Sequence, residues 1–166
     1  NIPEEAFVIG FTGKLVVDKG IIELVEAFNI MQRSNTNIYL LLVGMLEKRD
    51  ALPKEIIDII NNNPSIICTG YVDYNSIEYF YAMMDIFILP SYNEGFPRSL
   101  YESMVFGTPI ITTFVGGIPS LMKDNFNALE IDVKSVSSIV NVVIDALNNY
   151  EDKMKPIAQN ATKLIS

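Results

Sequence analysis

Histidine is missing altogether from the 166 residues. Any mechanism that needs imidazole as a general base or as a metal ligand must therefore obtain it from elsewhere. Cysteine is nearly missing too. The one thiol, Cys68, lies in an apolar run and rules out an internal disulfide framework, which fits a reducing, cytoplasmic setting. Basic residues are scarce, 12 against 20 acidic ones, for a formal net charge of −8. Extended nucleic-acid binding needs a basic surface and is disfavoured. A phosphate ligand is not, because a few placed lysines and backbone N–H groups can hold one. No apolar run approaches the roughly 20 residues that cross a bilayer, and the opening residues are not expected to be a signal peptide. The first residue is Asn1 rather than Met, so the expectation is a piece excised from a longer protein.

What is present is an apolar chain of one-domain length, 49% hydrophobic, enough for a sizeable core. Short apolar runs occur at Phe7–Phe11, Ile38–Val43, Ile66–Thr69, Ile86–Leu89, Pro109–Thr112 and Ala128–Ile131. They are mostly continuous rather than alternating, the pattern of strands buried on both faces of a parallel sheet. Between them Ile21, Leu24, Val25 and Phe28 recur at helical spacing. So do Ile56, Ile57 and Ile60, then Ile77, Phe80, Tyr81 and Met84, and finally Val136 through Leu147. The alternation predicts an α/β fold with a Rossmann-like, doubly wound parallel sheet of about six strands. Ligands of such sheets sit outside the carboxyl ends of the strands. Those ends here carry Thr12-Gly13-Lys14, Gly44, Gly70-Tyr71, Pro90-Ser91 and Thr112-Thr113 ahead of Gly116-Gly117.

The chemistry concentrates between Pro90 and Met104. Gly95 permits close backbone approach, and Pro97 suits the first turn of a helix because its missing N–H would be unpaired there. Leu100, Met104 and Val105 are expected to face inward, and Gly107 before Pro109 to end the helix. A helix opening at the sheet edge offers free N–H groups and a positive dipole end to a diphosphate. Glu94 precedes the helix and Glu102 lies within it, so both can face one cleft, where ionised carboxylates suit recognition of polyol hydroxyls. Arg98 could reach a phosphate, but the reading favoured for it is a solvated residue near the helix start.

Glu94 and Glu102 are separated by seven residues, and that segment resembles the glutamate-x7-glutamate motif of retaining glycosyltransferases of family 4, with the GT-B fold. Gly13-Lys14 with Lys19-Gly20 resembles the family's phosphate-binding element. Leu42-Val43-Gly44, Gly70-Tyr71-Val72, Asp85 through Ser91, Gly107-Thr108-Pro109-Ile110-Ile111 and Gly116-Gly117-Ile118-Pro119 follow in the family's order. The resemblance covers nearly the whole chain. It implies that residues 1–166 form the C-terminal, nucleotide-sugar-binding half of such an enzyme. The N-terminal acceptor domain and the final crossover helix would lie outside these residues.

The same resemblance implies a role for each site residue. Glu102 would hold the donor ribose hydroxyls, and Glu94 the hydroxyls of the donor sugar. Lys14 and Lys19 would neutralise the diphosphate, helped by the backbone around Gly13, Gly95, Phe96, Ser99 and Leu100. Tyr71 would help place the base through its main chain. Glu94 and Lys19 are the implied catalytic residues. The donor would be a UDP- or GDP-sugar, transferred with retention to a glycan or lipid-linked acceptor, without metal or other cofactor. The setting would be cytoplasmic, with peripheral association of the whole protein at the inner face of the membrane.

Several positions depart from the family pattern. Lys14 stands where arginine is common, Ser103 where alanine is frequent, and Ala128 where glycine is frequent. Three other readings fit the sequence less well. A sugar-nucleotide epimerase of the same architecture would use the donor site without an external acceptor, but the glutamate spacing favours the transferase. A receiver-type binding module would need acidic residues after the first strand, where Thr12-Gly13-Lys14 stands instead. A dinucleotide-binding domain is disfavoured because no G-x-G-x-x-G follows that strand.

Overall fold

The computed structural model describes residues 2–165. Six strands form one parallel sheet: β1 (Phe7–Thr12), β2 (Ile38–Val43), β3 (Ile66–Cys68), β4 (Ile86–Leu89), β5 (Ile110–Thr112) and β6 (Leu129–Glu130). Their order across the sheet is β3-β2-β1-β4-β5-β6. The order reverses between β1 and β4, which makes that junction the switch point where doubly wound sheets open a crevice.

The helices are α1 (Ile21–Gln32), α2 (Lys54–Asn62), α3 (Ile77–Ala82), α4 (Arg98–Phe106), α5 (Val136–Asn148) and α6 (Lys155–Lys163). A π-helical turn over Tyr150–Met154 joins the last two. α1 packs on α2 and α5, whereas α4 packs on α3 and α6. Two separate helix groups are what right-handed crossovers produce when strand order reverses. No helix among the described residues is long and apolar enough to cross a membrane.

The central strands explain their own sequence. β4 and β5 are buried at every position, and β1 and β2 at all but one. Continuous apolar runs therefore mark them, with the buried threonines Thr12 and Thr112 at the carboxyl ends of β1 and β5. At β3 that logic fails. It is an edge strand with one neighbour, so Ile67 is half-buried and Cys68 is exposed. Cys68 is thus exposed at the sheet edge, although it lies in an apolar run.

α4 also corrects the expected helix face. Leu100, Ser103 and Met104 point inward, whereas Val105 is 61% exposed. Each residue advances about 100° around the axis, so Val105 turns away once Met104 is central. Ser103 takes the inward place and satisfies its hydroxyl by donating to the Thr108 carbonyl oxygen at 2.9 Å. Pro97 sits one position earlier than expected, as the N-cap, and Gly107 closes the helix at φ 70, the left-handed conformation expected of it.

Candidate functional site

The site is assembled by two loops at the carboxyl ends of neighbouring strands. The first leaves β1 as Gly13-Lys14, runs through a 3-10 turn at Val17–Lys19 and enters α1. The second leaves β4 as Pro90-Ser91 and enters α4. Between them and the β2 and β3 loops lies a cavity of about 710 Å³, within the size range of small-molecule sites.

Glu94 is buried at the inner wall. Its Oε1 accepts from the fully buried Ser91 hydroxyl at 2.6 Å and from Lys19 Nζ at 2.5 Å. Both donors use the same oxygen, so Oε2 has no hydrogen-bond partner among the described residues. Burying a carboxylate is costly unless it is paired and hydrogen-bonded. Lys19 and Ser91 meet that cost while leaving half of the acceptor capacity unused.

Glu102 is held one turn into α4. Its Oε2 accepts from the Tyr81 phenol at 3.1 Å, and its Oε1 lies 3.1 Å from Arg98 Nε, an i,i+4 pair. The Tyr81 hydroxyl also lies 2.7 Å from Thr12 Oγ1 and 3.1 Å from the Ser99 carbonyl oxygen. Burial pushes this phenol well above its usual range. The Thr12 hydrogen bond opposes that, and the Glu102 charge adds to it. Tyr81 therefore stays protonated, as a donor to Glu102 must. The Arg98 guanidinium also lies 4.0 Å over the Tyr74 ring, within range of a cation–π contact.

Glycines brace the Glu94 loop from behind. Gly116 adopts φ 55, and a Cβ there would overlap the Glu94 carbonyl oxygen. The neighbouring Gly117 N–H donates to the Glu94 and Gly95 carbonyls at 3.3 and 3.1 Å. Gly116→Ala should therefore destabilise the chain by at least about 1–2 kcal/mol, the left-handed penalty alone, with the overlap in addition. It should also weaken ligand binding by displacing Glu94. Thermal melting and calorimetry of the variant check both effects, and an unchanged melting temperature would show that the loop is not braced there.

Of the ten residues expected to bind a donor, Gly13, Lys14, Lys19, Tyr71, Glu94, Phe96, Ser99 and Glu102 line this cavity. Gly95 is exposed beside it. Leu100 is buried, and its N–H is already used by the Pro97 carbonyl at 3.1 Å. The amides free for an anion at this helix start are those of Arg98 and Ser99, which precede any intrahelical acceptor. Arg98 is solvated as expected, with 69% of its side chain exposed, and it also lines the cavity and pairs with Glu102. Its i,i+4 spacing was the available signal. Tyr81 appeared in the sequence only as a core residue of α3, and nothing local announced that its hydroxyl reaches Glu102.

Each cation lining the cavity is matched by a carboxylate: Lys14 with Glu47 at 3.2 Å, Lys19 with Glu94, and Arg98 with Glu102. Lys14 and Arg98 are mostly exposed, so their pairs are weakly held and can exchange partners. Among the described residues no group of three His, Cys, Asp or Glu side chains is placed to hold a metal ion.

A parallel sheet of this order, with a carboxylate-bearing crevice at its switch point, defines a Rossmann-like α/β domain of the kind found as the C-terminal half of GT-B proteins. The model of the glycosyl transferases group 1 family matches residues 1–164, and the chain belongs to that family. The capsular polysaccharide biosynthesis glycosyltransferase CapM of Staphylococcus aureus is 30% identical over 96% of this chain and 41% of its own length. The chain spans about two fifths of the length of that relative. The crystal structure of the C-terminal domain of a glycosyl transferase group 1 family protein from Francisella tularensis is 26% identical and superposes with a TM-score of 0.86, covering 96% of this chain and 84% of that one. HepE of Anabaena, solved in complex with UDP-glucose, shares the fold at 22% identity and a TM-score of 0.84, over 96% of this chain and 44% of its own.

Proposed function

We propose that this chain is the donor-binding half of a retaining glycosyltransferase and holds a UDP- or GDP-sugar. One observation carries the reading. Glu94, with one oxygen saturated and the other open, and Glu102, anchored by Tyr81, line the same cavity at the start of α4. Two such acceptors suit two sets of hydroxyls, those of the sugar and those of the ribose. The diphosphate between them would meet Lys19, Lys14 and the first amides of α4, where the helix dipole favours negative charge. That HepE was solved with UDP-glucose supports the choice of ligand.

In this reading Lys19 releases Glu94 to the sugar and turns its charge to the diphosphate as the glycosidic bond breaks. Fixed cations and amides stabilise the departing nucleoside diphosphate, the role a divalent cation plays in other transferases. The acceptor, a glycan or a lipid-linked saccharide, would be bound by a second domain across the crevice. A protein acting on lipid-linked acceptors would work in the cytoplasm, associated peripherally with the inner membrane face. The isolated chain would bind donor without turnover.

Two measurements test the reading. Lys19→Ala should weaken nucleoside-diphosphate binding by roughly 1–3 kcal/mol, the range for hydrogen bonds to charged groups. Lys14→Ala should cost less, because Lys14 is mostly solvated. Neither variant should much change binding of the bare nucleoside, and equal losses for both ligands would remove the lysines from a phosphate site. NMR of the product formed by the two-domain enzyme should show the donor's anomeric configuration, and an inverted product would overturn the retaining mechanism.

A further inference from the structure

Lys19 and Glu94 come from different loops, 75 residues apart in sequence, and their geometry depends on what holds those loops in register. Neither Tyr92 nor Glu23 lines the cavity, yet both lie at the junction. The Tyr92 N–H donates to the Asp18 carbonyl at 2.8 Å, joining the residue before Lys19 to the second residue before Glu94. The Tyr92 phenol lies 2.7 and 2.8 Å from the two carboxylate oxygens of Glu23, in the first turn of α1. Lys134 Nζ covers the ring at 4.6 Å from its centroid. Tyr92 is thus gripped through its backbone, its hydroxyl and its face.

We propose that Glu23 and Tyr92 form a positioning clamp that fixes the Lys19–Glu94 pair, so that Glu23 acts on the site through Tyr92 without touching a ligand. The functional part of this proposal rests on the donor-site reading above. A carboxylate in a first helical turn is already favoured by the helix dipole, and that alone would leave Glu23 free to point into solvent. Its two short contacts to one phenol show a second use. Burial first, and then Glu23 itself, push the Tyr92 phenol above its ordinary range. The hydroxyl therefore stays protonated, as a donor to Glu23 must.

The test compares Tyr92→Phe, Glu23→Ala and Glu23→Gln with the parent chain by hydrogen–deuterium exchange and by titration with UDP, GDP, uridine and guanosine. Tyr92→Phe and Glu23→Ala should accelerate exchange several-fold in residues 17–20 and 91–95 while α5 and α6 keep their protection. Glu23→Gln should restore protection, because the amide oxygen still accepts from the phenol. Affinity for whichever diphosphate the parent binds should fall about tenfold in the first two variants, with the matching nucleoside little changed. Unchanged exchange in both loops, or exchange raised equally throughout the chain, would overturn the clamp. A parent chain that bound neither diphosphate would remove the donor-site reading, and the exchange pattern would still decide the clamp.

Discussion

Glu94→Gln, placed in the proposed two-domain enzyme, is expected to lower sugar transfer by about a hundred- to a thousandfold, the range seen when one preorganised transition-state contact is removed. The substitution is conservative in shape. The glutamine oxygen can still accept from Ser91 and Lys19, which both address Oε1 in the parent. What changes is the open side, where an anionic acceptor becomes an amide donor that cannot accept from a sugar hydroxyl. Lys19 also loses the charge it is paired with. Affinity for the bare nucleoside diphosphate should move by less than about threefold, well under the 1.4 kcal/mol of a tenfold change, because that ligand lacks the sugar. Equal losses in transfer and in diphosphate affinity would mean that Glu94 serves the loop rather than the sugar.

Glu102→Gln is expected to weaken nucleoside-diphosphate binding on the order of ten- to a hundredfold, the equivalent of one charge-assisted hydrogen bond of about 1.5–3 kcal/mol. The helix does not need this carboxylate for packing, since Leu100, Ser103 and Met104 supply its buried side. Tyr81 can still donate to the glutamine oxygen, so the side chain stays anchored while its charge disappears. The loss should shrink sharply with the 2′,3′-dideoxy ligand, which has no hydroxyls for Glu102 to hold. An undiminished loss with that ligand, or a lowered melting temperature without a binding defect, would take Glu102 out of the ribose site.

Much of this site was legible in the sequence because it is built from local signals. The glutamates lie eight positions apart across a loop and the opening of a helix, and glycines mark the strand ends. β1, β2 and β4 were readable to within a residue because burial on both faces keeps them almost wholly apolar, and β1 runs past the expected Phe11 only by the buried Thr12. Edges were harder. β6 shrinks to Leu129–Glu130, and Cys68 is exposed at the far edge, because a strand with one neighbour is not bound by the same rule. Least legible were the contacts that tune the carboxylates. Tyr81 meets Thr12 across 69 residues, and Tyr92 meets Glu23 across the same separation. Helical spacing marked Tyr81 as apolar core, and it is indeed buried, but only the tertiary fold shows where its hydroxyl goes. Val105 erred for a simpler reason: three apolar residues on a short helix cannot all share its inward arc when Ser103 already occupies part of it.

The central claim is that the cavity between the β1 and β4 loops is a nucleoside-diphosphate site, and calorimetry of this chain against UDP, GDP, their sugars and the bare nucleosides tests it most directly. One base series should bind saturably at one site per chain. Its diphosphate should bind at least about tenfold more tightly than the nucleoside, since each charge-assisted contact to Lys19 or an α4 amide contributes about 1.5–3 kcal/mol. Absence of saturable binding by every diphosphate, or affinity identical for diphosphate and nucleoside, would contradict it.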